Sequence, residues 1–119
     1  MEAQLGNFEE VIMLFTGILG EDAYAFKIAE EIEAKTGRSV SIGAVHSTLS
    51  RLEKKGYLNS EFGSPSSERG GRRKRIYTIT ALGNRVMTAS HEFRQSLWKE
   101  FPDMVFEYLR FRVLATGMI

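Results

Sequence analysis

The stretch that decides the fold runs from Arg38 to Gly56, "RSVSIGAVHSTLSRLEKKG". Ser41 is a natural N-cap, because its hydroxyl can accept from the unpaired amides that open a helix. Ile42, Val45, Leu49 and Leu52 then form one apolar stripe at helical spacing, and Gly56 closes the helix after Lys54 and Lys55. The opposite face presents Gly43, Ala44, Ser47, Ser50, Arg51 and Lys54, with His46 and Thr48 on the flanks. One face is suited to packing. The other is small, polar and cationic.

Two helices precede it. In "LGNFEEVIMLFTGILG" apolar residues fall at Phe8, Val11, Ile12, Phe15, Ile18 and Leu19, with Asn7 as N-cap, Glu10 completing a box-like pair, and Gly20 as the stop. In "EDAYAFKIAEEIEAKTG" the spacing of Tyr24, Ile28 and Ile32 predicts a second helix that Gly37 ends. Only Arg38, Ser39 and Val40 separate Gly37 from the third helix's cap, so the second and third helices form a helix-turn-helix.

Beyond the third helix the period changes. "YLNSEF" reads as a strand, "GSPSSERGGR" as a turn-rich loop, and "KRIYTIT" as a second strand with Ile76 on one face and Tyr77 and Ile79 on the other. Thr80 caps a last helix from about Ala81 to Glu100, and Pro102 kinks or restarts a helical stretch that runs toward Leu114. Helix, helix, helix, hairpin, helix is the order of a winged helix-turn-helix. The expected class is mainly α with a small β-hairpin. Residues 1–80 form the winged domain, and residues 81–119 form a C-terminal dimerisation helix within one compact unit.

The hairpin loop carries Arg69, Arg72, Arg73, Lys74 and Arg75, five cations within seven residues, with Gly70 and Gly71 among them. Three readings compete. A phosphate cradle of the nucleotide-binding kind needs a GxxxxGK[ST] run between a strand and a helix, which is absent. A solvated charged loop remains open. A wing that holds cations toward a polyanion is the third, and strand alternation puts Arg73 and Arg75 on one side with Arg72 and Lys74 on the other.

Composition narrows the partner. The net charge of +1 conceals blocks of −7 over residues 1–34, +8 over residues 35–85 and zero over residues 86–119. A basic middle on a nearly neutral chain points to one basic face. With no cysteine there are no disulfides and no thiolate metal sites. No apolar run reaches the roughly 18 residues of a membrane span. The acidic opening "MEAQLGNFEE" lacks the features of a signal peptide, so the expected location is cytoplasmic and no membrane partner is expected. His46 and His91 lie on different helices, and no carboxylates have metal-ligand spacing, so neither an enzyme nor a cofactor is expected.

Three separated segments carry a family resemblance: "LG.FEEVIMLFTGILGEDAYAFKI", "GRSVSIGAVHSTLSRLEKKGYLNS" and "ERGGRRKRIYTITALG". Their order and spacing over Leu5–Gly83 resemble the PadR family of bacterial transcriptional regulators. His46 stands where that family usually carries tyrosine, and Ala25 where glycine is common. The short tail resembles the subgroup with a single C-terminal helix. The resemblance implies a homodimer with paired terminal helices, a third helix entering the major groove, and a wing touching the backbone or minor groove. In some members an aromatic pair at the dimer centre sandwiches flat ligands, and Trp98 lies on a comparable helix.

The residues themselves assign roles consistent with double-stranded DNA as partner. Gly43 and Ala44 permit close approach, Ser41 can bond a phosphate at the helix N-terminus, His46 and Ser47 can reach base edges, and Arg51 and Lys54 can reach phosphates. A merely solvated helix face is the plainer alternative. Phe93, Leu97 and Phe101 repeat at i, i+4 and i+8 beside Trp98, so this stripe needs burial, and a twin helix would cover it. The same four residues are the candidates for a small aromatic effector, against dimer core as the simpler reading. The expected function is a homodimeric repressor on a roughly palindromic operator. The alternative is a protein-interaction adaptor that uses the winged domain for docking.

Overall fold

The computed structural model describes residues 5–64, 73–102 and 109–113. In chain order its elements are α1 (Asn7–Leu19), a 3-10 turn (Gly20–Asp22), α2 (Ala25–Thr36), α3 (Ile42–Lys54), β1 (Leu58–Phe62), β2 (Arg75–Ile79) and α4 (Ala81–Glu100). The order of helices and hairpin is the expected one, and the 3-10 turn is an addition. Residues 109–113 are described and are helical throughout, while most of the expected continuation toward Leu114 lies outside the described residues. The chain divides into two compact units, Met1–Thr88 and Ala89–Ile119. Among the described residues no helix is long and apolar enough to cross a membrane.

Three helices and the hairpin share the core of the first unit. Ile12 and Met13 of α1, Ile28 of α2, Val45, Leu49 and Leu52 of α3 and Leu58 of β1 are fully buried. Each such side chain stabilises the fold by about 1.5–3 kcal/mol through removal from water. Tyr57, Tyr77 and Val86 close the cluster. The helix-turn-helix turn is made by Gly37, which takes φ +73° and donates its amide to the Glu33 carbonyl at 2.8 Å. A side chain with a Cβ is strained in that left-handed conformation, so the glycine sets the turn.

Some details depart from the sequence reading. The α1 N-cap is Gly6, one residue before Asn7, and its amide donates to Glu9 Oε1 at 2.9 Å, where Glu10 was expected to act. Ile18, expected on the packing face, is 68% exposed, and Met13 takes the core position. The reason is that α1 is apolar nearly all round, so periodicity alone does not say which stripe faces in. Ile42 is 42% exposed because it is the first residue of α3, ahead of the turn that meets the core. Thr48, expected on a flank, is buried.

The hairpin is antiparallel, with Leu58 opposite Ile79, Ser60 opposite Tyr77 and Phe62 opposite Arg75. Tyr77 is buried and Ile76 half-buried, so the alternation is as expected. The Tyr77 amide also donates to the Ala23 carbonyl at 2.9 Å, which ties β2 to the chain just before α2. Thr80 joins the hairpin to α4. Its hydroxyl donates to the Gly56 carbonyl at 2.6 Å and accepts from the Gly83 amide at 3.0 Å.

That junction brings the first turn of α4 against the Tyr57 backbone. A methyl group at Gly83 would overlap the Tyr57 carbonyl and crowd the Met13 side chain. Gly83→Ala is therefore expected to lower stability by about 3 kcal/mol or more, since backbone on the facing side cannot yield as a side chain would. Urea unfolding of the purified variant checks this, and wild-type stability would show that the junction can open without cost.

Candidate nucleic-acid interface

The exposed face of α3 starts at a capped end. Ser41 Oγ accepts from the Ala44 amide at 3.0 Å, so the hydroxyl expected to reach a phosphate also holds the helix start. Gly43, Ala44, His46, Ser47, Ser50 and Lys54 are all exposed. A Cβ built on Gly43 meets nothing within 4 Å, so the absent side chain is not required by the fold. His46, Ser47, Ser50, Arg51 and Lys54 line one open depression on this face. The structure thus brings together five neighbours of a single helix surface, four of them predicted site residues and Ser50 from the predicted opposite face.

Arg51 is engaged from behind. Its Nε–H donates to Glu9 Oε2 at 3.1 Å, and Lys55 Nζ donates to the same oxygen at 2.9 Å. Arg51 Nη2 also lies 3.5 Å from Thr48 Oγ1. Glu9 is itself buried on α1, and its other oxygen takes the Gly6 amide. Burial pushes this carboxyl's pKa up. The bonds from the Gly6 amide, Lys55 and Arg51 outweigh that and hold it at about 2. Sequence reading missed Glu9. The available signal was an acid at four- and seven-residue spacing from Met13 and Thr16, in line with the core face.

The basic hairpin is divided in the same way. Arg69 and Arg72 lie outside the described residues. Arg73 is exposed. Lys74 reaches toward α2, with Nζ 3.3 Å from the Tyr24 hydroxyl and 4.4 Å from the ring centroid. Arg75 lies over the Phe62 ring at 4.5 Å, and its Nη1 donates to Ser60 Oγ at 2.7 Å. Ser60 in turn donates to Glu53 Oε2 at 2.7 Å, which links the hairpin to α3. Cation–π contacts of this kind contribute about 0.5–1 kcal/mol at exposed sites. Lys74 and Arg75 thus brace the base of the hairpin whatever else they contact. Tyr24, Ser60 and Phe62 gave no sign of this in the sequence, because their cations lie far along the chain.

The second unit carries the aromatic stripe. Phe93, Leu97, Trp98 and Phe101 are all exposed, Trp98 by 69%. Trp98 and Phe101 meet edge to face, with centroids 5.4 Å apart. With Leu97 and Arg94 they line an open apolar pocket of about 300 Å³. Three of the four predicted residues converge there, and Phe93 lies apart from the pocket lining.

Comparison with known proteins places this arrangement. The model of the transcriptional regulator PadR-like family matches residues 16–89, from the end of α1 through the hairpin into α4. A solved transcriptional regulator from Clostridium thermocellum is similar at 27% identity and a TM-score of 0.60, covering 76% of this chain and 85% of that one. A PadR family transcriptional regulator from Eggerthella lenta is similar at 25% identity and a TM-score of 0.58, with 83% and 80% covered. A PadR family regulator from Clostridium difficile shares the fold at 22% identity and a TM-score of 0.55, with 87% and 99% covered. No curated protein matches the chain in sequence.

The Glu9 cluster has a pH signature. Its folded-state pKa of about 2 lies below the ordinary 4.5, so the unfolded chain takes up the proton first. The stabilisation is complete above about pH 5 and is lost as pH falls from about 4.5 to 2. Glu9→Gln is expected to unfold more easily at neutral pH, by about 1–2 kcal/mol, and to show a shallower loss through the acid range. Thermal unfolding of both proteins from pH 7 to pH 2.5 checks this, and parallel curves would remove Glu9 as the group responsible.

Proposed function

Because the chain belongs to the PadR-like family of transcriptional regulators, we propose that it is a homodimeric repressor that binds a roughly palindromic duplex operator. The observation that carries this is the exposed α3 face, which opens at the Ser41 cap with two small residues and continues with hydrogen-bonding and cationic ones. In this reading α3 enters the major groove. Gly43 and Ala44 let the backbone approach, and His46 and Ser47 meet base edges. Ser41, Arg51 and Lys54 take phosphates. The hairpin cations Arg69, Arg72, Arg73, Lys74 and Arg75 add backbone contacts, and each neutralised phosphate contributes about −0.9 to the salt slope.

Dimerisation would use the apolar surface that each unit leaves exposed: Leu14 and Ile18 of α1, and Phe93, Leu97, Trp98 and Phe101 of the second unit. A two-fold pair of such surfaces sets two α3 helices about one DNA turn apart, which is what a palindromic operator requires. The pocket of Arg94, Leu97, Trp98 and Phe101 suits a flat aromatic effector. An effector there would change the pairing and thereby the spacing of the α3 helices. In this reading the protein acts in the cytoplasm.

Gly43→Ala separates folding from DNA contact. The methyl enters open space, and alanine is the better helix former, so stability is expected to stay level or rise by up to about 1 kcal/mol. Affinity for duplex DNA from upstream of the protein's own gene is expected to fall at least about tenfold, as the close approach is lost. Affinity for a shuffled duplex is expected to change little. Urea unfolding reads the stability, and fluorescence anisotropy across a salt series reads both affinities. Equal binding of the two duplexes by the wild-type protein at every salt concentration would count against the regulator mechanism. Undiminished operator binding by Gly43→Ala would move the contact surface off α3.

A further inference from the structure

Two cations at the C-terminal end of α3 converge on one carboxylate that belongs to another helix. Glu9 Oε2 receives Arg51 Nε at 3.1 Å and Lys55 Nζ at 2.9 Å, while Glu9 Oε1 is fixed by the Gly6 amide at 2.9 Å. The carboxylate side chain is 10% exposed and the Arg51 side chain 50% exposed, so the acid lies inside and the guanidinium spans from it to the surface. Outside, Arg51 borders the depression formed with His46, Ser47, Ser50 and Lys54.

We infer that Glu9 is a positioning residue for the α3 face: it holds Arg51 through Nε so that the outer edge of the guanidinium is set to receive a phosphate, and it makes no contact with DNA itself. This rests on the DNA-binding reading proposed above. The chemistry favours the arrangement. A guanidinium is planar, so a bond at Nε leaves the donors of Nη1 and Nη2 in a set plane, whereas the remaining donors of a lysine held by one N–H stay free to turn about that bond. A long free arginine must be ordered on binding, and one already ordered has less freedom to lose. Lys55 shares the same oxygen and offsets the acid's charge, which would otherwise oppose a nearby phosphate.

The sign of the charge change makes the inference testable. Glu9→Gln removes a negative charge close to α3, so simple electrostatics expects tighter binding to any duplex. Positioning expects the opposite. Affinity falls about five- to tenfold for the upstream and the shuffled duplex alike, because an ordered phosphate contact is lost on either. Arg51→Gln is expected to weaken both likewise and to flatten the salt slope by about 0.9, and adding Glu9→Gln to it is expected to weaken binding no further. All variants are compared at a temperature at which their circular dichroism reports a folded protein.

A measurement on the wild-type protein decides the matter where Glu9→Gln does not fold. By nitrogen-15 NMR the Arg51 Nε–H is expected to exchange slowly in the free protein and to remain protected after the upstream duplex is added. Release of that proton on DNA binding would mean that Arg51 leaves Glu9, and the inference would be overturned. Affinities unchanged or raised in Glu9→Gln, or losses that add in the double variant, would also overturn it while leaving the regulator reading intact. Wild-type protein that does not distinguish the two duplexes would instead remove the DNA reading on which the inference rests.

Discussion

The arrangement depends on one carboxylate. Glu9 is an acid within two turns of the fully buried Ile12 and Met13, where a charge without partners would cost several kcal/mol. Three donors compensate it, one from its own helix start and two from the far end of α3. Buried ion pairs of this type add little net stability over an apolar substitute. Their effect is to exclude alternatives. Any sliding or rotation of α3 along α1 would strand the acid, so the apolar contacts of Val45, Leu49 and Leu52 are restricted to one register.

A second set of polar contacts acts at the hairpin. Glu53, Ser60 and Arg75 form a relay from α3 into the sheet, and Lys74 bridges to Tyr24 at the start of α2. A two-stranded hairpin by itself is marginal in water. This one is held by Tyr77 in the core, by the Ala23 carbonyl beside β2, and by two cations braced against aromatic rings. The basic segment is therefore not a uniform charged patch. At its base the cations help to set the direction of the hairpin, and exposed Arg73 is the next charge toward the tip.

Most of the fold was legible because its signals are local. Ser41, Gly37, Thr80 and the alternation of Tyr77 and Ile79 each act within a few residues of where they stand, so each could be read from its neighbours in sequence. The missed features lack that property. Glu9 and Arg51 are 42 residues apart, Lys74 and Tyr24 are 50 apart, and nothing in either local pattern names the other partner. Gly83 looks like a helix-weakening glycine until the Tyr57 carbonyl is placed against it. Ile18 failed for another reason: on a helix apolar all round, period identifies the helix but not its inward side. The α3 face itself was legible, as the polar side of an amphipathic helix, but the partner holding Arg51 was not.

The surfaces that remain exposed differ in what can cover them. Leu14 and Ile18 of α1, and Leu97, Trp98 and Phe101 of the second unit, gain free energy when moved from water to any apolar contact, about 25 cal/mol for each Å² buried. The α3 face gains almost nothing that way. Its glycine and alanine offer little area, and its serines, histidine and lysine would each lose water without replacement against an apolar partner. Against a phosphate backbone the balance reverses, because the same groups exchange water for charge-assisted bonds and release bound counterions. In the proposed assembly the aromatic side chains are buried between protein chains and the α3 face is left to a polyanion. The core meets the second surface at Glu9, whose carboxylate holds Arg51 and Lys55 at the end of α3.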